Sequence, residues 1–523
     1  MLIDARALPS GSRIESDVCI VGGGAAGIAI ARELAGTATK VVLLEAGGLE
    51  IDSARQELYE GENLGLPYFP LEVCRLRYLG GSTNHWGGHC MPFRESEFAA
   101  VDYIPYSGWP IGVGDVAPWW PRAAEMLGLP SQGWDPGYWA DRVGKPPLAL
   151  DPDVIRTEFH LVKKAFLGEL YRPVLEEAAN LEVYLNANVV EFEVDESASH
   201  VVEVRARVLD GPIFHVAARR FVLAAGGIEN ARLLLLSDSV QKGGLGNGHD
   251  LVGRFFAEHP TLHAGSIAVA HSGVPVGLYY RQWLDDIRLF AHLSLADTAM
   301  RRERIAPVAW EAIPVPDAGY TSDGFRSMVE LARGVRHLRV PNDLGDHVAN
   351  IAGDLGSLAG LAYDTVRLGQ VPIARVDLLA ATVPVPNPDS RVLLGEERDA
   401  LGLRRVQLDW RMSPLDKRSV RRATELLGAE IARIGLGRLQ LAIDDDDQGW
   451  PADLEGANHH VCTTRMADDP ARGVVDRNCK VFGVDNLYIA GSSVFSTSGL
   501  GTPTFMLITL ALRLADHLKE LPA

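Results

Sequence analysis

Cysteine is scarce and scattered in this chain. Five occur in 523 residues, at Cys19, Cys74, Cys90, Cys462 and Cys479. An odd set without close pairs argues against a disulfide framework and against a zinc site, so no metal is expected. Basic charge is also short: 50 Lys and Arg stand against 68 Asp and Glu, a net charge of −18. An acidic chain is repelled by phosphate backbones and anionic lipid, so nucleic acid and membrane are poor partners. No apolar run approaches the roughly 18 residues that span a bilayer. Met1–Glu15 carries charges and no apolar core, so no secretory leader is expected there and a cytoplasmic protein is. What is present is a globular composition, 47% hydrophobic and 23% charged. The length suits several units of about 150 residues each.

The first motif stands near the start. Val18–Val21 is a short apolar run ending in glycines, Ala25–Leu34 has helical periodicity, and Lys40–Leu44 is a second apolar run closed by Glu45. Strand, turn, helix and strand within about thirty residues make the βαβ unit of a dinucleotide-binding fold. Gly22, Gly24 and Gly27 form GxGxxG. The first allows a tight turn, the second lets backbone approach a pyrophosphate, and the third lets helix pack on strand. Gly24, Ala25 and Ala26 open the helix, whose free N–H groups suit phosphate. Glu45 ends the second strand, where a carboxylate accepts from a ribose hydroxyl. The motif by itself does not choose between FAD and a nicotinamide cofactor.

Further along, Leu79–Cys90 is a Gly-rich loop without periodicity. Val116–Leu127 and 155–178 read as helical. Leu181–Val194, His200–Leu209 and Phe221–Ala225 read as strands, and Glu229–Leu236 as a helix. Between about 263 and 449 the character changes, with strands at Leu289–Leu295, Ala374–Ala380, Arg391–Leu394 and Val406–Arg411. The stretch 326–369 reads as partly helical. A helix opens at Ser413-Pro414 and runs through Ile434, and Gln448–Pro451 marks a boundary. Leu487–Ala490 reads as a buried strand, and Pro503–Leu518 as a helix with Pro in its first turn. The two ends read as one domain interrupted by a second.

Several segments resemble the glucose–methanol–choline (GMC) flavoprotein oxidoreductases. They are Gly80-Gly81-Ser82-Thr83-Asn84-His85-Trp86-Gly87-Gly88, Ala224-Ala225-Gly226-Gly227-Ile228-Glu229-Asn230-Ala231-Arg232, Asn458-His459-His460-Val461-Cys462-Thr463-Thr464-Arg465-Met466, and Val474-Val475-Asp476 through Tyr488. The likeness is nearest to bacterial members similar to pyranose and glycoside 3-oxidases. It covers both ends of the chain and little of the middle. It implies an α/β protein: a Rossmann-like FAD-binding domain over 14–100, 165–262 and 450–523, with a discontinuous α+β substrate-binding domain over 101–164 and 263–449. That is the architecture shared by GMC enzymes and p-hydroxybenzoate hydroxylase.

The resemblance also implies an activity. FAD takes a hydride at N5 from the carbon of an alcohol, and a base takes the hydroxyl proton. His459 matches the family's catalytic histidine, and imidazole suits the task because its ordinary pKa lies near neutrality. Gly81, Ser82, Thr83, Asn84, His85 and Trp86 are expected beside the flavin. His85 stands where some relatives bond the flavin covalently, although a non-covalent cofactor is the expectation. Val189 matches a position that reads adenine through backbone groups. Ala225 and Gly226 are expected near the adenosine half, and Gly491 and Ser492 near the pyrophosphate. Thr502, with Pro503 and Thr504 behind it, stands where relatives carry His or Asn. Threonine is no base and reaches less far, and it suits a helix N-cap equally well. A second departure is Ala381–Pro386, where close relatives often carry a polar pair facing substrate. The expected substrate is thus a hydroxyl of a sugar, glycoside or related natural-product alcohol, with oxygen or another acceptor taking the electrons. A non-redox, lyase-like flavoprotein and an inactive FAD-binding scaffold are the alternatives. Oligomeric state is open.

Overall fold

The computed structural model describes residues 1–130, 133–317, 320, 322–336, 343–368, 371–445 and 449–522. Gln448, at the proposed boundary, and parts of the 326–369 stretch lie outside them. The first sheet is built on Arg13–Val21, whose last four residues are all buried. Val41–Leu44 lies parallel on one side, in register Val18↔Val41, and Leu181–Leu185 and Leu2–Asp4 follow outward. On the other side lies Ile213–Leu223, pairing Phe221 with Cys19. Near-continuous apolar runs such as Val41–Leu44 are what a parallel strand needs when both its faces are covered.

Ile213–Leu223 changes partner along its length. Its first half pairs antiparallel with Val201–Arg207, and its last three residues pair parallel with Leu487–Ile489. That splice brings a strand from the C-terminal end of the chain into the N-terminal βαβ unit. Helix Ala25–Leu34 packs against helix Pro503–Glu520, so both helices start at the same edge of the sheet.

The second sheet is antiparallel. Its order is Gly437–Leu441, Thr261–Val269, Ile373–Thr382, Val308–Pro316, Ile287–Leu295, Ile155–Val162 and His89–Cys90. Helix Pro414–Arg433 covers one face. It starts at Ser413, whose N–H donates to Asp416 Oδ2 at 2.6 Å, while Val385 N–H takes Oδ1 at 2.7 Å. A third, small sheet joins Gly61–Asn63 to Arg391–Arg398 and Arg404–Asp409.

One stretch departs from expectation. Residues 155–178 do not form a single helix. Ile155–Val162 is a strand, followed by short helices Leu167–Leu170 and Arg172–Glu177. The strand sits between two neighbours, and its last four residues are buried. Tertiary pairing outweighs the weak helical spacing of that run. Thr261–Val269, Val308–Pro316 and Gly437–Leu441 are strands absent from the sequence-based reading. The strand His89–Cys90 joins the second sheet from a segment read with the first. The 326–369 stretch falls into helices Asp323–Arg336, Leu344–Gly353 and Leu355–Leu368.

Candidate active site

A cavity of about 730 Å³ runs between the two large sheets, and the glycine turn forms one of its walls. The glycines of that turn divide into two kinds. Gly22 has φ +109°, and a Cβ there would lie 2.5 Å from Ala224 O; a Cβ on Gly27 would lie 1.9 Å from Gly22 O. These two are glycine because protein packs against them. Gly24 and Gly226 line the cavity, and a Cβ on either would meet nothing within 4 Å. These leave space open, which fits a bound group approaching the backbone closely. Gly24 is also the N-cap of Ala25–Leu34 and has no side chain to cap it. Helix Pro503–Glu520 likewise begins at the cavity, without a side-chain cap. Two helix N-termini therefore offer N–H groups and positive partial charge to one space.

Glu45 is buried at the end of its strand. Its Oε2 accepts from Gly23 N–H at 2.8 Å and its Oε1 from Gly47 N–H at 2.7 Å. Burial pushes its carboxyl pKa up. Val189, Ala225, Gly226, Gly491 and Ser492 also line the cavity. Ser492 Oγ donates to His460 O at 2.7 Å and so ties the turn after the last strand to the histidine segment. From the loop, Gly81, Ser82, Thr83, His85 and Trp86 line the cavity. Thr83 Oγ1 donates to Gly80 O at 2.5 Å, Trp86 Nε1 donates to Ala165 O at 3.0 Å, and His85 Nε2 lies 3.0 Å from Tyr78 Oη. Two expected residues do not reach the lining. Gly27 is packed as described. Asn84 turns inward, its Nδ2 donating to Leu79 O at 2.8 Å, and so holds the loop's shape.

The other end of the cavity is rich in histidine. His459 lines it, half-buried, with His259, His460 and His89 around it; desolvation and these neighbours hold its pKa well below the ordinary imidazole value. His459 is therefore neutral at physiological pH. Its Nδ1 lies 2.9 Å from His259 Nδ1, and His259 Nε2 lies 2.5 Å from Gly499 O. Burial depresses His259 to about 4. Beneath the pair sits Glu258, fully buried. It accepts the backbone N–H of His459 at 2.8 Å, and those of His259 and Ala457 at 3.0 Å. Tyr68 Oη donates to the same carboxylate. His460 turns to this second group, its Nε2 2.9 Å from Tyr68 Oη.

Thr502 lines the cavity beside Pro503 and Thr504. Its hydroxyl donates to His89 O at 2.5 Å and makes no capping bond to its own helix. His89, His160 and Phe290 also form the lining, and all three come from neighbouring strands of the second sheet. Ala381 lines the cavity from the same sheet, with Leu379 on its own strand and Glu311 on the next, while Trp310 turns to the other face, where its Nε1 donates to Thr424 Oγ1 at 3.0 Å. Sequence reasoning missed Glu258, His259, His160 and Tyr68. A signal existed for the first two: an acid and a histidine close the apolar run Phe255-Phe256-Ala257. Away from the cavity, Glu193, Glu203 and His215 bring ligand atoms within 4.8 Å of one another. Both carboxylates already pair with arginines, Glu193 with Arg205 at 3.5 Å and Glu203 with Arg13 at 3.2 Å.

Residues 386–511 match the family model for GMC oxidoreductase. The 6'''-hydroxyparomomycin C oxidase of Streptomyces lividus is 26% identical over 96% of this chain and 92% of its own length. The fructose dehydrogenase large subunit of Gluconobacter japonicus is 23% identical over 67% of this chain, and the match spans 56% of that subunit. In fold, the chain is similar to pyridoxine 4-oxidase from Mesorbium loti, with a TM-score of 0.54 at 17% identity, covering 97% of this chain and 100% of that one.

Proposed function

We propose, for a chain that belongs to the GMC oxidoreductases, that it oxidises a hydroxyl of a sugar, glycoside or related natural-product alcohol to a carbonyl, with FAD as cofactor and His459 as base. One observation carries the reading: a single cavity connects the glycine turn and Glu45 to His459. A dinucleotide seated on the turn would share that space with a half-buried, neutral imidazole. Bound FAD supplies a hydride acceptor at N5. The chain's own residues do the rest. Gly24 and Gly226 would let the cofactor approach the protein backbone, and Glu45, which lines the same cavity, would accept from a ribose hydroxyl. His459 takes the hydroxyl proton as the C–H bond breaks.

The substrate class follows from the lining. The polar pair missing from Ala381–Pro386 is replaced by groups on other strands, His89, His160 and Glu311, beside the aromatic face of Phe290. Buried hydrogen-bonding groups next to aromatic surface select a polyhydroxylated ring, because an analogue without hydroxyls leaves them unpaired. The name of the full-length Streptomyces relative, an aminoglycoside oxidase, supports this class. The relatives that span the chain are named as oxidases and a dehydrogenase, which disfavours the lyase-like and scaffold readings. His85 Nε2 is held at Tyr78, which supports a non-covalent cofactor. Among the described residues no helix is long and apolar enough to cross a membrane.

The test is an anaerobic absorption spectrum of the purified protein, before and after addition of sugars, glycosides and polyols. Bleaching by one class names the substrate, and re-oxidation by air or only by a dye names the acceptor. Flavin released by acid precipitation supports the non-covalent form. His459→Ala should slow bleaching by about 10²–10⁴-fold. Unchanged reduction kinetics in that variant would remove His459 from the mechanism.

A further inference from the structure

His259 is not adjacent to His459 in the chain, and no motif joins them. The fold holds their rings edge to face, with centroids 5.0 Å apart and planes at 82°. One carboxylate anchors both, since Glu258 takes the backbone N–H of each. The hydrogen-bond chain that results has a direction. Gly499 O is a carbonyl and accepts only, so His259 Nε2 must carry its proton. A neutral His259 then has a bare lone pair on Nδ1. The 2.9 Å contact to His459 Nδ1 requires a hydrogen between the two nitrogens, and His459 must supply it. A neutral His459 protonated on Nδ1 is unprotonated on Nε2.

We propose that His259 is a positioning residue for His459: it fixes the tautomer in which the Nε2 lone pair is the one offered to the substrate hydroxyl. The proposal rests on His459 being the base. The neutrality it needs is supported on every side. His259, His460 and His89 face His459, a charge on any of them opposes a charge on it, and His160 stands within the same electrostatic reach. Glu258 meets His459 through its backbone N–H.

The step balances without a further proton carrier. The substrate O–H bond breaks, and its proton goes to His459 Nε2. The electron pair left on oxygen becomes the second bond of the carbonyl as the hydride leaves carbon, for which bound FAD would supply the acceptor. His459 is then an imidazolium, and its Nδ1–H bond to His259 becomes charge-assisted. A carbonyl at the far end of the chain cannot be protonated onward, so the proton stays on the pair until the reduced site is reset.

Two His259 variants and one spectrum, assigned with a third variant, test this. The spectrum is ¹⁵N-histidine NMR of the holoprotein, with the His459 signals assigned by their loss in His459→Gln. The expected result is a protonated Nδ1 and a bare Nε2. In His259→Leu the acceptor is gone. The tautomer should mix or reverse, and flavin reduction should slow by about 10–100-fold, the usual loss when a residue orienting a histidine is removed. Substrate affinity should change far less. In His259→Asn, Oδ1 replaces Nδ1 as acceptor, and both tautomer and rate should recover most of the loss. Protonation on Nε2 in the unaltered protein overturns the proposal, as does a Leu variant that keeps both tautomer and rate. If His259→Leu does not fold, the unaltered protein and His259→Asn still decide. If no alcohol bleaches the flavin, the functional reading fails, whereas the NMR result still settles which nitrogen holds the proton.

Discussion

Gly23 and Glu45, 22 residues apart in sequence, are joined by a 2.8 Å hydrogen bond from backbone N–H to carboxylate. With the second bond to Gly47, Glu45 clamps the glycine turn to the end of the neighbouring strand. The carboxylate thus shapes the wall of the cavity as well as lining it. Glu45→Gln replaces one accepting oxygen by an NH₂ that faces a backbone donor, so one bond is lost and two donors confront each other. Flavin affinity should fall at least about tenfold, equivalent to one charge-assisted hydrogen bond. Fluorescence titration of apoprotein with FAD measures it, and unchanged affinity would mean the clamp is dispensable.

Gly27→Ala tests a different glycine. The added Cβ would lie 1.9 Å from Gly22 O, a backbone atom inside the turn. The helix must move off the strand to accept it. The variant should lose stability by a few kcal/mol, the scale of an overpacked core, and retain little flavin. Gly226→Ala has no such packing clash, only the strain of φ +93°. Urea unfolding of the two apoproteins should therefore rank Gly27→Ala as the more damaged.

The N-terminal βαβ unit was legible because its parts are local. The helix Ala25–Leu34 falls where the spacing puts it, and Glu229–Leu236 likewise. Each of these is set by apolar period and by glycine, within ten residues. Ile155–Val162 was not legible, because its conformation comes from pairing with a strand over a hundred residues away. The same distinction runs through the site. Gly22, Glu45 and His459 sit in motifs. The partners of His459 do not: His259 is 200 residues distant and Tyr68 reaches the same carboxylate from 190 residues away. The hydroxyl of Thr502 was expected at substrate or at its own helix. It bonds instead to a carbonyl on the short strand His89–Cys90, in a Gly-rich segment without periodicity.

His460 gives a pH-dependent contribution to stability. Burial and the nearby Arg75 depress its pKa to about 3 in the folded protein, against about 6.5 in the unfolded chain. Below pH 6.5 the unfolded chain binds a proton that the folded one refuses, so stability falls with pH down to about 3. The loss approaches about 1.4 kcal/mol per pH unit. Glutamine does not titrate and can still donate to Tyr68. His460→Gln should therefore be less stable than the unaltered protein at pH 7.5, and the deficit should shrink by about 2 kcal/mol at pH 5. Urea unfolding at the two pH values checks it; a deficit independent of pH would mean that His460 takes up its proton as readily in the fold as in the unfolded chain.

Thr502 separates a structural role from a chemical one. Its hydroxyl has one proton, and that proton is committed to His89 O. It has none to give a substrate, although its lone pairs still accept. Thr502→Val keeps the shape and leaves the His89 carbonyl without its donor. Such a loss costs about 1–3 kcal/mol when the acceptor is buried. The carbonyl belongs to the residue whose imidazole lines the cavity, so the wall should shift slightly. Flavin reduction should slow by less than about tenfold, well short of the loss expected on removing a base. Stability and anaerobic reduction measured on the same variant distinguish the two roles. A reduction rate as low as that of His459→Ala, with stability unchanged, would assign the hydroxyl to the substrate instead of to the wall.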